Sequence, residues 1–285
     1  MLFGIDVASV DENHDVNWAL AKAQGPISFA IIRATQATHV DGQFAATWPK
    51  LEATGLVRGA YMFLDFPRLG AGAAGPDIQA QTLIDTVGPL STDDLPPALD
   101  IEFPHGRAAT GMSVNAALEW IRVAWATLRD WYKVPPILYT SGRVWHEDLD
   151  DAPVTELLDS PLWLARYFWT TKAPAMRDAS QFANGLHAPP VPTPWGSAWA
   201  IHQYQGDALA MPGFTSTVDM NRFNTLVQGA TGDAVRWAQR RLRVVADGNF
   251  GPITAGAVRS FQHTHGMVAD GIVGPRTFAK LCWQD

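Results

Sequence analysis

The chain has 285 residues and a formal net charge of −7, and 47% of its residues are hydrophobic while 17% are charged. This composition excludes a disordered chain and allows one large folded domain, alone or with a small one. The single cysteine, Cys282, excludes an intrachain disulfide. No segment holds the roughly 18 uninterrupted apolar residues that a membrane span needs, so we expect no membrane partner.

Charge is distributed unevenly along the sequence. Residues 1–229 carry a balance of −10, whereas residues 230–285 carry a balance of +3. The acidic part repels the phosphate backbone, so we expect no nucleic-acid partner. The basic end indicates a separate module with a partner of its own.

Eight short segments rich in β-branched and aromatic residues predict β-strands. By their first residues they are LFGIDV (Leu2), FAIIRA (Phe29), VRGAYMF (Val57), ALDIE (Ala98), PILYT (Pro136), LWLARY (Leu162), AWAIHQY (Ala198) and VDMNRF (Val218).

Helical patterns lie between the early strands. The clearest follows Ser113, a good N-cap residue, and runs from Val114 to about Tyr132. Apolar residues at spacings of three and four predict one buried face on this helix. Strand and helix alternate, which favours a parallel sheet covered by helices. The apolar face comprises Leu118, Ile121, Trp125, Leu128 and Trp131.

The last third breaks this alternation. Only 13 residues, with glycine and proline among them, separate Tyr204 from Val218, so no crossover helix fits there. The proline-rich segment between Tyr167 and Ala198 predicts an ordered excursion or lid. We therefore predict an α/β fold: a modified TIM-like β/α barrel with about five β/α units and three irregular or antiparallel strands.

A second unit begins near Gly232. It contains a near-repeat, DGNFGPIT from Asp247 and DGIVGPRT from Asp270, in which a turn places proline at the start of a helix. With the opening helix GDAVRWAQRRL, this pattern predicts a small all-α domain of roughly 55 residues. The predicted boundaries are a barrel over residues 1–226, a linker over 227–231 and the helical module over 232–285.

Four acidic residues lie at the ends of predicted strands: Asp6, Asp100, Glu102 and Asp219. In a β/α barrel the carboxyl ends of the strands converge on one mouth, so these four side chains are expected to share a cleft. Asp100 and Glu102 are two residues apart, which places their Cα atoms roughly 6.6 Å apart on one face of a strand. Such crowding raises at least one pKa and keeps a carboxyl group protonated near neutral pH.

Paired carboxyl groups of this kind suit glycosidic bond cleavage, in which one acid protonates the leaving oxygen and another group supports the positive charge at carbon. Two alternatives stay open for each acid taken singly. It can cap a loop or pair with an arginine, or D-x-E can be a fragment of a metal site. No histidine pair with ligand spacing accompanies these acids, so we expect neither a metal nor another cofactor.

Seven motifs in order resemble glycoside hydrolase family 25, the lysozymes also called N-acetylmuramidases. The resemblance covers residues 1–226 and implies a modified β/α barrel that cleaves the β-1,4 bond between N-acetylmuramic acid and N-acetylglucosamine. It also implies that Glu102 is the proton donor, that Asp100 orients the substrate's acetamido group, and that Asp6 and Asp219 line the cleft. The motifs are GIDV, IIRAT, GAYMF, PPALDIE, ILYT, PLWLARY and VDMNRF.

Aromatic residues near the same strand ends fit a groove for sugar rings, although core packing is the more common role for each one singly. The candidate substrate-binding residues are Tyr61, Phe63, Tyr139, Trp163, Tyr167 and Tyr204. Taken with the motifs, the four tyrosines are favoured. The chain departs from the family at His202, where tryptophan is common. This side chain either faces away from the groove or, if it faces inward, shifts the pH profile or the subsite preference.

The C-terminal unit resembles the three-helix peptidoglycan-binding module of wall hydrolases. The resemblance implies that it holds the enzyme on the wall and raises the local substrate concentration. His263 and His265 are two apart near a predicted helix end and do not share a face, which favours a structural or surface role over metal binding. We expect a monomer whose partner is the glycan of bacterial peptidoglycan.

The start of the sequence lacks the basic and apolar regions of a signal peptide. We therefore expect a phage endolysin that is made in the host cytoplasm and acts on the bacterial cell wall. Two alternatives remain: an endo-β-N-acetylglucosaminidase or chitinase-like hydrolase, and a non-catalytic wall-binding protein, which has no need of four clustered acids.

Overall fold

A computed structural model describes residues 2–9, 16–25, 27–69, 72–167, 174–175 and 188–284. All eight predicted strand positions hold strands, and a two-residue strand that the sequence did not predict, β3, pairs with the end of the second one. The strands are β1 (Leu2–Val7), β2 (Ile27–Gln36), β3 (His39–Val40), β4 (Val57–Phe63), β5 (Ala98–Asp100), β6 (Ile137–Thr140), β7 (Leu162–Ala165), β8 (Ile201–Ala208) and β9 (Val218–Phe223).

The sheet closes into a barrel. Strands β1, β2, β4, β5, β6, β7 and β8 are parallel neighbours in that order. Strand β9 is antiparallel to both β8 and β1 and closes the ring between them. The predicted modified β/α barrel is confirmed. Of its last three strands, β7 and β8 are parallel to their neighbours, and β9 is the antiparallel strand that closes the barrel.

Four α-helices connect the first parallel strands and cover the outside of the barrel: α1 (Trp18–Gln24), α2 (Phe44–Thr54), α3 (Pro76–Val87) and α4 (Val114–Tyr132). Helix α4 begins as predicted, because the Ser113 hydroxyl accepts a hydrogen bond from the Ala116 amide at 3.2 Å. Trp131, predicted to face the core, is instead 54% exposed. Tyr132, four residues after Leu128, takes the buried position, as the 3.6-residue helical period allows.

The later connections contain no α-helix in the parts that the structure describes. Between β6 and β7 lie a short π-helix (Val144–Asp148) and a 3₁₀ turn (Thr155–Leu157). The lid predicted between β7 and β8 falls mostly on residues 168–173 and 176–187, which lie outside the described residues. Within the described ranges, no helix is both long and apolar enough to cross a membrane.

The C-terminal unit folds as three helices, α5 (Asp233–Arg241), α6 (Pro252–Thr264) and α7 (Pro275–Cys282), and the two prolines open their helices as predicted. A buried glutamine fixes each repeated turn. The Gln239 side chain donates to Asp247 Oδ1 at 2.7 Å and accepts from the Gly248 amide at 2.8 Å. Gln262 makes the same two contacts 23 residues later, at the same distances.

The helical module is packed against the end of the barrel where the parallel strands begin. The Phe223 ring, at the end of antiparallel β9, lies 5.2 Å from the Phe278 ring of α7. The Trp283 indole donates to the Asp94 carbonyl at 2.8 Å, and the Arg276 guanidinium donates to the Gly55 carbonyl at 3.1 Å. The module therefore closes the end of the barrel opposite the carboxyl ends of the strands.

The predicted linker is itself hydrogen-bonded to the module. The Gly229 amide donates to the Phe250 carbonyl at 2.9 Å, and Thr231 forms an isolated bridge with Asn249. Just before it, Leu226 forms a bridge with Val273. The domain boundaries drawn from the sequence stay a prediction.

Candidate active site

The four predicted acids lie at one mouth of the barrel: three at or just after the carboxyl ends of parallel strands, and Asp219 near the start of antiparallel β9. Asp6 is the residue before the last in β1 and lies next to Asp219, its direct partner across the antiparallel pair. Asp100 is the last residue of β5, and Glu102 follows two residues later. Asp6 and Asp100 are each 6% exposed, and the charges of Glu102 and Asp6 both act on Asp100. The predicted clustering of the acids is therefore present in the fold.

Gln203 of β8 lies at the centre of this cluster. Its amide nitrogen donates to both carboxylate oxygens of Asp6, at 2.9 and 3.0 Å, and to Asp219 Oδ2 at 3.0 Å. Its amide oxygen accepts from the Tyr139 hydroxyl at 2.7 Å and from the Tyr167 hydroxyl at 2.8 Å. One side chain thus joins two acids to two tyrosines. This role of Gln203 was not predicted, although Gln203 stands beside His202 in the predicted strand AWAIHQY.

A second chain of hydrogen bonds supports Asp6 from inside the barrel. The Trp163 indole donates to Asn221 Oδ1 at 2.7 Å, and the Asn221 amide donates to Asp6 Oδ1 at 2.5 Å. Trp163 is only 1% exposed. The prediction that Trp163 binds substrate is therefore wrong: the ring lies inside the barrel, where its N–H positions a residue that contacts the acid.

The prediction that Tyr204 lines the groove is also wrong. Neighbouring residues of a strand point to opposite faces, and Gln203 faces the cleft, so Tyr204 faces the outer layer. It is fully buried there, with its ring 6.0 Å from that of Phe3.

The remaining predicted aromatic residues lie at or near the cleft. Tyr167 is 46% exposed, and half-buried Phe63 lines a pocket that also contains Glu102. The Tyr139 hydroxyl belongs to the Gln203 network, and Tyr61, only 9% exposed, packs edge-on against Trp163 with 5.9 Å between ring centroids. Sugar binding by these four residues stays a prediction.

His202 faces away from the groove, which was one of the two alternatives. It is fully buried, its Nε2 lies 2.9 Å from the Arg166 carbonyl oxygen, and its Nδ1 accepts from Arg222 Nε at 3.1 Å. Burial lowers the pKa of His202 to about 4, helped by the nearby charge of Arg222. The ring is therefore neutral near pH 7, and its role is to connect β8 to its neighbours.

Burial raises the pKa values of the two central acids. The pKa of Asp100 lies well above its ordinary value because the carboxyl is desolvated and because Glu102 and Asp6 repel its charge; Arg33 opposes this. Burial likewise raises the pKa of Glu102, while a hydrogen bond with Tyr139 and the charge of Arg143 act in the opposite direction. Two neighbouring carboxyl groups with raised pKa values keep a proton at a pH closer to neutral than isolated acids do.

Glu102 lies between two openings. One is a small pocket towards β4, lined by Phe63, Phe66 and His105. The other is an open cavity of about 360 Å³ towards β6 and β7, lined by Arg143 and Tyr167 among others. Glu102 therefore borders both openings, so a chain of sugars that filled both would lie beside this residue.

No group of three or more histidine, cysteine, aspartate and glutamate residues forms a possible metal centre within the described ranges. His263 and His265 are both exposed, and the His265 ring lies 4.1 Å from that of Phe261. The expected absence of a metal stays a prediction.

Comparisons with known proteins agree with this geometry. Lysozyme M1 of Streptomyces globisporus is 29% identical over 225 residues, which cover 76% of this chain and 68% of that protein. The crystal structure of the bacterial lysozyme from Streptomyces coelicolor has a TM-score of 0.62 at 29% identity, covering 78% of this chain and 92% of that one. A muramidase structure from Acremonium alcalophilum has a TM-score of 0.60 at 27% identity, covering 83% of this chain and 97% of that one.

Two family matches divide the sequence. Residues 231–281 match a putative peptidoglycan binding domain, in agreement with the predicted module. Residues 5–213 match glycosyl hydrolases family 25, and this segment contains Asp6, Asp100, Glu102 and Gln203. The chain belongs to glycosyl hydrolases family 25, whose members are glycoside hydrolases of the lysozyme type.

Proposed function

We propose that the protein cleaves the β-1,4 bond between N-acetylmuramic acid and N-acetylglucosamine in bacterial peptidoglycan, with Glu102 as the proton donor. One observation carries the assignment of Glu102. It is a carboxyl group with a raised pKa that borders both openings of the cleft, next to a second buried carboxyl, Asp100. A proton held there stands beside the path of the sugar chain.

Asp100 is suited to hold the acetamido group of the substrate. Its Oδ1 atom is buried and has no hydrogen-bond partner among the described residues. A buried polar atom without a partner is costly, typically about 1–3 kcal/mol, so a substrate N–H that reaches it gains a strong contact. This free oxygen supports a role for Asp100 in orienting the substrate.

The reaction follows from these two positions. Glu102 donates its proton to the glycosidic oxygen as the bond from that oxygen to the sugar C1 breaks, and the acetamido oxygen of the same sugar attacks C1. Asp100 accepts the acetamido N–H and stabilises the positive charge of the resulting ring. Water then attacks C1 and gives its proton to the Glu102 carboxylate, which restores the enzyme.

Asp6 and Asp219 act on this pair at a distance. Both are held by the Gln203 amide, and the charge of Asp6 raises the pKa of Asp100. The Tyr139 hydroxyl, which donates to Gln203, also hydrogen-bonds Glu102. We assign Asp6 and Asp219 as positioning residues that maintain the charge around Asp100 and Glu102.

The test is the identity of the new sugar ends. Purified peptidoglycan is digested with the intact protein, reduced with borohydride and analysed by mass spectrometry. The proposal predicts reduced muramic acid at the new ends. Reduced glucosamine would instead assign a glucosaminidase, the main alternative. Binding to the wall without soluble fragments would favour a non-catalytic wall-binding protein.

The helical module supports peptidoglycan as the substrate, because its match is to a putative peptidoglycan binding domain. We further propose that the protein is a phage endolysin made in the host cytoplasm. Expression in a susceptible bacterium, with and without a separately supplied membrane pore, tests this role. Lysis only with the pore is expected, and export without it would contradict the proposal.

A further inference from the structure

The larger opening beside Glu102 contains two arginines, which is unexpected in a cleft with four acids. We call this cavity the arginine pocket. It has a volume of about 360 Å³. The residues that matter for its chemistry are Glu102, Phe103, Arg143, Arg166 and Tyr167.

The Arg143 guanidinium already forms ion pairs with nearby acids. Its guanidinium lies 3.1 Å from Glu147 and 3.5 Å from Asp148, both on the π-helix that follows β6. Its side chain is nevertheless 54% exposed, and its charge reaches Glu102, where it opposes the rise in pKa. Arg143 therefore has a function in balancing the charge of acids that are already present.

Arg166 has no such function. Its main chain is fixed, since its amide donates to the Gln203 carbonyl at 3.0 Å and its carbonyl oxygen lies 2.9 Å from His202 Nε2. Its guanidinium belongs to an exposed residue and forms no ion pair or hydrogen bond with any residue that the structure describes, although its charge helps to lower the pKa of His202. The cations that act on the central acids are Arg33 for Asp100 and Arg143 for Glu102.

A guanidinium in a cavity, without an ion pair among the described residues, is suited to a carboxylate ligand, because its N–H groups form charge-assisted hydrogen bonds with paired oxygens. Tyr167, 46% exposed and next in sequence, supplies a flat apolar wall. The substituent that distinguishes muramic acid from glucosamine is a lactyl ether with a carboxyl group, which is free or joined to a peptide with acids of its own. Chitin has no carboxylate.

We propose that Arg166, with Arg143 beside it, binds a carboxylate of the substituent on the muramic acid ring and so selects peptidoglycan over neutral glycans. This inference rests on the proposed function. It assigns to these arginines the recognition of substrate, whereas the four acids perform and support the chemistry.

The experiment compares charged and neutral substrates for the full-length protein. Peptidoglycan glycan strands are used with their carboxylates intact and after conversion to amides with carbodiimide and ammonia. Strands with and without peptide stems are treated in parallel, so that a lactyl carboxylate is distinguished from a peptide carboxylate. Arg166→Gln is the main variant, and Arg129→Gln on the outer helix α4 is the matched control.

We expect Arg166→Gln to lower kcat/KM roughly tenfold on the charged strands and less than twofold on the amidated strands. Amidation should lower kcat/KM for the intact protein by a similar factor and leave Arg166→Gln almost unaffected. Arg143→Gln should show the same preference and also move the pH profile upward, because it removes a charge that lowers the pKa of Glu102.

Equal losses for Arg166→Gln on both kinds of strand would overturn the proposal, as would an equal effect of amidation on the intact protein and on this variant. The comparison is independent of which bond is cut. Glucosamine ends would refute the proposed muramidase function, while the charged-to-amidated ratio would still decide whether Arg166 senses a carboxylate.

Discussion

Gln203 provides the sharpest prediction about the active site, because one amide makes five contacts there. Three go to the carboxylates of Asp6 and Asp219, and two come from the Tyr139 and Tyr167 hydroxyls. A hydrogen bond to a charged group contributes about 1.5–3 kcal/mol, but such contacts are not additive. We expect Gln203→Leu to lower the free energy of unfolding by about 3 kcal/mol.

Gln203→Leu should also slow catalysis in the protein that remains folded. Without Gln203, the Tyr139 hydroxyl that hydrogen-bonds Glu102 loses its acceptor, and small displacements of a catalytic group cost about a hundredfold in rate. We expect kcat to fall about a hundredfold in Gln203→Leu. Gln203→Glu should in addition shift the pH profile, because a carboxylate placed between Asp6 and Asp219 repels both.

Urea unfolding and the kinetics of glycan release, each measured from pH 4 to pH 9, test these expectations. Gln262→Leu is the matched control: Gln203 and Gln262 are each 2% exposed and hydrogen-bonded, but Gln262 lies in the helical module. It should lose comparable stability and retain kcat where it is folded. A kcat within twofold of the original in Gln203→Leu would refute this account. An equal loss of kcat in Gln262→Leu would also refute it.

Three further predictions concern stability. Asp100→Asn should raise the free energy of unfolding at pH 8 by about 1–3 kcal/mol; because the folded pKa of Asp100 is raised, the gain should vanish below its ordinary pKa of 3.8, and urea unfolding at pH 3 and pH 8 checks the sign. Burial lowers the pKa of His202 to about 4, so the free energy of unfolding should fall by about 3 kcal/mol in total as the pH drops from 6.5 through 4. His202→Gln should remove that part of the pH dependence. An unchanged dependence of the unfolding free energy on pH, measured by urea unfolding, would contradict this prediction. Phe278 packs against Phe223 at the junction, so calorimetry should show one transition for the whole chain, and Phe278→Ala should lower its stability by about 3–5 kcal/mol; two separate transitions would contradict a rigid junction.

The strands and acids of the barrel were predictable because their signals are local. Each strand is a short apolar run between turn residues, and Asp6 and Asp219 stand near the ends of such runs. The helical module was equally readable from its repeated turns. Gln203 was not, because nothing local indicates that this amide lies beside an acid 197 positions away.

The errors among the aromatic residues have a common cause. A strand signal does not say which face points inward, and Tyr204 follows the inward-facing Gln203, so it must face outward. Trp163 does face inward, but it lies deeper in the barrel than a sugar can reach. Whether an inward-facing residue is exposed at the mouth of the barrel depends on its position along the strand. The composition of the strand does not show how far that position lies from the mouth.

The packing of the module against the barrel also carried no sequence signal. The positive balance of residues 230–285 indicated a separate module with its own partner. Two of its cations contact the barrel instead: Arg276 reaches the Gly55 carbonyl, and Lys280 lies 3.1 Å from Asp93. Charge shows that a surface has a partner, but it does not show whether the partner is another part of the same chain.

The most direct test of Glu102 as the proton donor compares two leaving groups. Cleavage of peptidoglycan needs a proton on the leaving oxygen. In a 2,4-dinitrophenyl glycoside of the same sugar, the dinitrophenolate group leaves without one. We predict that Glu102→Gln lowers kcat about a thousandfold on the wall glycan and less than tenfold on the activated glycoside, while Asp100→Asn lowers both alike. Equal losses of Glu102→Gln on both substrates, or glycan cleavage at the original rate, would contradict the assignment of Glu102 as the catalytic acid.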